Sequence, residues 1–450
     1  MIMEPNHNYT SSIEYDRRLY RHDIAGSIAH AHMLTKQGIV EERESKSIVD
    51  ALASIQMEIE AGSFPWRTEL EDIHMNIERR LFEKIGDTAG KLHTARSRND
   101  QIALDMRMYA KEAAEAALEG VHSVRSALLH KGETNAEVLM PGYTHLRRAQ
   151  PVLFAHHMLA YFEMFGRDKD RLKHAALSAD VMPLGSGALA GTPHPIDRDF
   201  VANELGFGSI STNSMDAVSD RDFILDYLSA AATCMVHISR LAEELIIWSS
   251  EEFSFVRLDE DFTTGSSMMP QKRNPDFAEL ARGKTGRVVG NLVALLTMLK
   301  GLPLTYNRDL QEDKETFFDT VDVLQTTLEV IAPMISSLEL NSGRMLEAAE
   351  DGYSLATDVA DYLVAKGMPF REAHGVTYEL TNHAASQGKK LNEVPLKTYQ
   401  EFSNLFDSDI LSITAESSIR ARNVPGGTSH EQVSKSLVAA RQSLENDIAG

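Results

Sequence analysis

Apolar residues recur at helical spacing over segments far longer than a globular domain ordinarily uses. This feature constrains the fold more than any other in the chain. In Gln101–Lys131 the series Ile102, Met106, Tyr109, Ala113, Leu118, Val121, Val124, Leu128 advances in steps of three to five, with a single Gly and no Pro. In Asp220–Ser250 the series Phe223, Tyr227, Ala231, Met235, Ile238, Ala242, Leu245, Trp248 advances by three or four throughout. Gln150–Ala179, Asp276–Lys300 and Glu312–Leu340 read the same way, and Pro333 predicts a kink in the last. Helices of about 25–30 residues run near 40 Å at 1.5 Å per residue, whereas globular helices average about 11–12 residues. Such a set predicts an extended all-α bundle, with apolar faces wide enough to be buried against other subunits. Strand signals are thin, apart from short pieces near Val181–Leu189. Gly/Pro/Thr-rich stretches at Leu139–Tyr143, Val181–Pro195, Thr263–Pro275 and Gly301–Asn307 read as linkers, and composition shifts near Ala349–Gly352.

Charge and cysteine content exclude several classes of function. The chain carries 45 Lys+Arg against 66 Asp+Glu, a net charge of −21, and no more than two basic residues stand in a row. A phosphate backbone needs a basic face and anionic lipid repels an acidic one, so neither nucleic acid nor a membrane surface is an expected partner. Cys234 is the single cysteine, which rules out an intrachain disulfide and a Cys-based zinc site. Met1–Asp16 is polar, with Glu4, Glu14 and Asp16, and lacks the apolar core of a secretory signal. The longest charge-free apolar stretches, Tyr227–Ser239 and Val288–Leu299, fall short of the roughly 20 residues of a membrane span. The chain reads as soluble and cytosolic.

Three patterns mislead. Gly283-Lys284-Thr285 ends like a phosphate-binding P-loop, but Ala278 stands where the motif needs Gly and the segment reads as helix. Gly185-Ser186-Gly187-Ala188-Leu189-Ala190 fits G-x-G-x-x-A without a surrounding βαβ pattern, and reads as a tight structural loop. The pairs His30/His32 and His156/His157 lack companions at metal-ligand spacing.

Chemistry concentrates in three loops. Thr263–Asp276 begins with small hydroxyl-bearing residues and ends in Asn274-Pro275-Asp276, a helix start with Glu279 in its first turn. Lys272 therefore lies ahead of a helix N-terminus, where free N–H groups and the dipole favour an anion. Ser266 lies upstream, on a loop able to fold over that anion. His93–Asp100 brings Arg96 and Arg98 to a second helix start, with Asn99 or Asp100 as its N-cap. A guanidinium fork there suits a carboxylate, or else bridges helices structurally. Pro141–Pro151 sets His145 beside Thr144, and a carboxylate such as Glu279 could orient the imidazole. A fourth stretch, Tyr306–Lys314, mixes donors and acceptors at another helix start.

Gly265-Ser266-Ser267-Met268-Met269-Pro270-Gln271-Lys272-Arg273-Asn274 resembles the signature of the fumarase/aspartase superfamily, whose members eliminate across a Cα–N or Cα–O bond and release fumarate. Ser97–Gln101, Gly142-Tyr143-Thr144-His145 and Tyr306–Lys314 narrow the resemblance to its argininosuccinate lyase branch, with the δ-crystallin relatives. Asp72-Ile73-His74, Pro183–Gly187, Asn213–Ala217 and Lys366–Arg371 extend the likeness from about Ser12 to the C-terminus.

The resemblance implies an all-α fold in three domains, here residues 1–97, 98–349 and 350–450, the middle one a long helix bundle. It implies a homotetramer whose active sites draw on three subunits, acting on argininosuccinate in arginine biosynthesis or the urea cycle, without metal or organic cofactor. Ser266 and His145, with Glu279 orienting the imidazole, would be the acid–base pair, in an order that stays open. Lys272 and Asn274 would hold the carboxylate that gains charge. Ser12, Asn99, Thr144, Tyr306, Gln311 and Lys314 match substrate-binding positions, and Arg98 adds a cation to them. Three departures stand out: Arg147 where the family usually has Gln, Ala95 where it has Gly, and no N-terminal Trp-Gly-Gly-Arg-Phe segment. Two rivals are a sister lyase, against which Tyr306–Lys314 argues, and an inactive crystallin-like protein, against which the complete catalytic set argues.

Overall fold

In a computed structural model of the chain, residues 7–351 and 353–449 are described. Readings that fall on residues 1–6, Gly352 and Gly450 lie outside them. The elements used below are α1 (Tyr20–Lys36), α2 (Glu42–Glu60), α3 (Ile73–Ile85), α4 (Arg98–Thr134), β1 (Leu139–Thr144), β2 (Arg147–Leu153), α5 (Phe154–Ala179), β3 (Val181–Met182), β4 (Ser209–Ile210) and α6 (Asp222–Ser249). They continue with β5 (Val256–Arg257), β6 (Thr264–Gly265), β7 (Arg273–Asn274), α7 (Asp276–Leu299), α8 (Asp313–Ser337), β8 (Glu339–Leu340), α9 (Ala356–Ala365), α10 (Phe370–Ser386) and α11 (His430–Ala449).

The long-helix expectation is met by α4 to α8. The longest, α4, has 37 residues, and it stops where Thr134 and Asn135 turn their side chains back onto helix carbonyls. Thr134 Oγ1 donates to the His130 carbonyl at 2.9 Å and Asn135 Nδ2 to that of Lys131 at 2.9 Å. Helix α8 continues through Pro333.

Contacts divide the chain into two compact units, residues 1–119, 168–236 and 284–326 in one, and residues 120–167, 237–283 and 327–450 in the other. Two apolar cores stand out among the described residues of the first unit. Ile24, Ile48, Leu52, Ile55, Ile73, Ile77 and Leu81 lock α1, α2 and α3 together, while Met33, Leu34, Leu104, Met182, Val201 and Phe207 join α1 to α4 and the β3 segment. In the second unit Val359, Leu363, Leu380, Tyr399, Phe406 and Ile410 form the C-terminal core around α9 and α10, and Leu129, Leu153, Leu159, Leu437 and Leu444 seat α11. Also in this unit, a Cβ on Gly120 would stand 2.8 Å from Leu328 Cδ1, so glycine permits the close approach of α4 to α8 there.

Among the described residues the strands form four two-stranded sheets: β1–β2, β5–β8 and β6–β7 antiparallel, β3–β4 parallel. The β1–β2 hairpin corrects the reading of Leu139–Tyr143 as linker and of Gln150 as a helix start. Leu139 pairs with Leu153 and Thr144 with Arg147, with an irregularity between Pro141 and Tyr143. Pro141, Gly142 and Pro151 disguise these strands, yet a two-stranded ribbon consists only of edges, where Pro is tolerated. The G-S-G-A-L-A stretch is a tight loop, as expected, and Gly283-Lys284-Thr285 lies inside α7. No helix of the described residues is long and apolar enough to cross a membrane.

Candidate active site

In the second unit, the hairpin carries His145 at its tip. His145 and Leu146 form the two-residue turn with φ of 53° and 56°, a pairing of positive angles that the right-handed twist of a ribbon demands and that Asn-Gly normally supplies. Two non-glycine residues there carry strain, which marks functional positions more often than ordinary turns. Thr144, His145, Leu146 and Arg147 are all exposed.

The Ser266 loop is a second hairpin of the same unit. Thr264 pairs with Asn274 and Gly265 with Arg273, and the Thr264 hydroxyl donates to the Asp276 carboxylate at the first residue of α7. Ser266 Oγ accepts from the Met269 and Met268 N–H groups at 3.1 and 3.3 Å, so the loop turns around its hydroxyl. Lys272 Nζ donates to Asn274 Oδ1 at 2.5 Å, which brings the two expected carboxylate-holding groups together. Asn274 thus belongs to a strand, and α7 begins two residues later, a small revision of its expected place at the helix start. Lys272 and Glu279 line one cavity of about 580 Å³, shared with Glu251, Glu252 and Arg257. Among the described residues His145 and Glu279 form no hydrogen bond within one chain.

The first unit holds Ser12, Arg98, Asn99, Tyr306, Gln311 and Lys314. Ser12 is buried and its hydroxyl donates to Asp16 Oδ2 at 2.6 Å. Burial pushes the Asp16 carboxyl up to about 6, against the opposing pull of Ser12, His74 and Lys314. Lys314 is buried too, and donates to Asp313 Oδ1 at 2.9 Å, while Arg221 donates to the other Asp313 oxygen. Burial raises the Asp313 carboxyl, but Lys314 and Arg221 outweigh it and hold it below its ordinary value. Gln311 Nε2 donates to the Tyr15 hydroxyl at 3.0 Å, and burial pushes that phenol up to about 12. Tyr306 is half-buried, with its phenol raised by burial, and follows Thr305 at φ 71°.

Helix α4 starts at Arg98, two residues earlier than an Asn99 cap implies and three earlier than an Asp100 cap implies. Ser97 Oγ accepts from Asn99 N–H at 3.3 Å, and Asp100 Oδ1 accepts from Ser97 N–H at 2.9 Å. The second Asp100 oxygen accepts from Gly185 and Gly187 N–H at 3.0 and 2.8 Å, and Asn99 Nδ2 donates to the Ala188 carbonyl at 3.1 Å. The glycine loop is thereby fixed to the start of α4. Arg96 and Arg98 do not act as a pair. Arg98 reaches Glu78 at 3.0 Å and Gln101 at 2.9 Å, whereas Arg96 donates to Ser27 Oγ at 2.8 Å. The structure thus gives Arg98 a helix-bridging role alongside any part in binding.

Sequence reasoning missed Asp16 and Asp313, and named Asp100 only as a possible helix cap, without its hold on the glycine loop. Asp16 carried a signal, the i, i+4 spacing from Ser12 on a helical turn. It also missed the buried group Asp23, His74 and Asp105, whose ligand atoms lie within 4.8 Å of one another. His74 Nδ1 meets Asp23 Oδ1 at 3.0 Å, and Gln101 donates to the same oxygen. Burial raises Asp23, yet His74, Arg96 and Gln101 bring it down to about 2. These three side chains could hold a cation, but the Arg96 charge beside them favours an ion-pair network.

A family model described as "Lyase" matches residues 5–290, and one described as "Argininosuccinate lyase C-terminal" matches residues 353–420. An argininosuccinate lyase of Dehalococcoides mccartyi strain CBDB1 is 56% identical over 436 residues, 97% of this chain and 95% of that protein. The chain belongs to the argininosuccinate lyase family. Its all-α fold is that of solved lyases of the wider superfamily. EDDS lyase in complex with formate superimposes with a TM-score of 0.88 at 28% identity, covering 99% of this chain and 89% of that one. A class II fumarase of Schistosoma mansoni, 18% identical, shares the fold at a TM-score of 0.75 over 88% of each chain. Within the argininosuccinate lyase family, Ala95 stands where the residue patterns above place Gly. The structure shows why Gly suits: Ala95 has φ 63°.

Proposed function

We propose that the chain catalyses the reversible elimination of argininosuccinate to arginine and fumarate in arginine biosynthesis. The observation that carries this reading is near-full-length similarity to argininosuccinate lyases at 56% identity, joined to an intact set of Ser266, His145, Lys272, Asn274 and Glu279. The C–H beside a carboxylate is barely acidic, and removing its proton builds an aci-carboxylate dianion. One well-aimed donor at a growing oxyanion is worth about 3–4 kcal/mol, the part given to Lys272 with Asn274. Ser266 and His145 move the protons, one at the carbon and one at the leaving guanidinium nitrogen. A hydroxyl is a base only as alkoxide or through a relay, so the Ser266 loop has to release Met268 and Met269 and close over the substrate.

The working unit in this proposal is a homotetramer whose sites draw on several subunits, which is how His145 and Glu279 would meet. Val289, Val293 and Leu296 support it: they lie on one face of α7, are 38%, 55% and 49% exposed, and suit a second copy of the chain. The division at residues 1–97, 98–349 and 350–450 belongs to the same proposal, supported by the separate cores within Ile13–Leu92 and Val359–Ile410. So does a cytoplasmic location, supported by the acidic surface and the single buried cysteine. The deciding experiment is to add argininosuccinate to the purified protein and follow fumarate in the ultraviolet. Fumarate release is expected, and none from well-folded tetramer would refute the reading.

A further inference from the structure

Glu71 holds a backbone conformation that the chemistry above does not use. Its φ is 68° and its ψ is −60°, and Asp72 N–H donates to the Leu70 carbonyl at 2.8 Å, closing a γ-turn in its rare, strained form. A non-glycine residue in such a conformation persists only where its surroundings over-determine it. The surroundings here are specific. The Glu71 carbonyl accepts from Ser12 N–H at 2.8 Å, Ile13 N–H at 3.2 Å and Ser11 Oγ at 2.9 Å. Its carboxylate pairs with the Arg308 guanidinium, which also donates to the Thr10 carbonyl at 2.6 Å. That carbonyl accepts from Gln311 Nε2 at 3.3 Å, and Arg308 and Gln311 share the 3₁₀ turn Arg308–Glu312. One residue thus holds the Ser12 segment through its main chain and the Gln311 turn through its side chain.

We propose that Glu71 is a positioning residue for substrate binding, its γ-turn setting the placement of Ser12 and Gln311. This rests on the reading of those two residues as substrate contacts. The turned carbonyl is what gathers Ser11, Ser12 and Ile13, and an unstrained residue 71 would aim it elsewhere. The Arg308 pair is what keeps the turn closed, because a charge-assisted hydrogen bond offsets the strain.

Steady-state kinetics with argininosuccinate, beside thermal unfolding, tests this on Glu71→Ala, Glu71→Gly, Glu71→Gln and Ser12→Ala. Ser12→Ala raises KM if the substrate reading holds. Glu71→Ala keeps the strain, loses the Arg308 pair, and is expected to raise KM about tenfold with a smaller change in kcat. Glu71→Gly accepts φ 68° without strain and is expected to bind better than Glu71→Ala, the reverse of the usual loop preference for Ala. Glu71→Gln still accepts from Arg308 and stays nearest the wild type. A raised KM in Glu71→Gly that Glu71→Gln restores supports the proposal even if Glu71→Ala does not fold. Wild-type KM in both Glu71→Ala and Glu71→Gly, with Ser12→Ala impaired, would overturn it, whatever happens to the melting temperature. A wild-type KM in Ser12→Ala would instead remove the substrate reading on which it rests.

Discussion

At the scale of single residues, burial decides the character of Asp16. Its native carboxyl titrates near 6 against 3.8 in the unfolded chain, so the native state binds that proton more tightly. The group therefore favours folding below pH 3.8, and that contribution is lost as pH rises through about 6. The difference amounts to about 3 kcal/mol at neutral pH. Asp72, His74 and Lys314 act on the same carboxyl but remain in Asp16→Asn, where the amide oxygen still accepts from Ser12. The stability of Asp16→Asn relative to wild type should rise between pH 4.5 and 7, read as urea midpoints. A flat difference would show that Asp16 titrates normally. Ala95, at φ 63°, gives a second residue-scale expectation. Ala95→Gly relieves the left-handed strain while loosening the unfolded chain, for a net gain of about 0.5–1 kcal/mol in the same measurement. On the chemistry, Ser266→Ala and His145→Asn should each lower kcat by at least about a hundredfold while leaving substrate binding largely intact. Near-wild-type turnover in either would remove that residue from its role.

At the scale of elements, the start of α4 is defined by Asp100 more than by its own propensity. Three backbone N–H groups, from Ser97, Gly185 and Gly187, converge on this buried carboxylate. Asp100→Ala would orphan all three, at a cost of at least about 3 kcal/mol if each is worth about 1 or more. Because Asn99 reaches the same loop at Ala188, the variant should also raise KM, and calorimetry with kinetics would show both or refute the coupling. The helices themselves were legible, since periodicity located α4 to α8 to within a few residues, Gln150–Leu153 excepted. The β1–β2 hairpin was not. Its turn is His145-Leu146 where Asn-Gly is the readable signal, and its strands contain Pro141, Gly142 and Pro151.

At the scale of the whole molecule, a chain of net charge −21 still places cations at the positions that the proposed function gives to an anionic substrate. Lys314 is buried beside Asp313 and Lys272 sits ahead of α7, so in that proposal local charge and not the total governs what binds. The exposed stripe Val289, Val293, Leu296 leads to a prediction at this scale. Val293→Asp should shift the protein toward smaller species in light scattering and lose activity in parallel, whereas an intact, active tetramer would move the interface elsewhere. The sequence by itself determined the long helices, the absence of an intrachain disulfide and the stretches that bear Ser266, His145 and Lys272. Periodicity, residue type and short motifs are local properties, expressed between near neighbours in the chain. Only the tertiary structure decided that the Ser12–Asp16 pair is buried, that Asp100 ties the glycine loop to α4, and that Glu71 gathers Ser11 and Arg308. Those contacts join residues as far apart as positions 71 and 308, and a carboxylate's partner and titration depend on what the folded chain brings beside it.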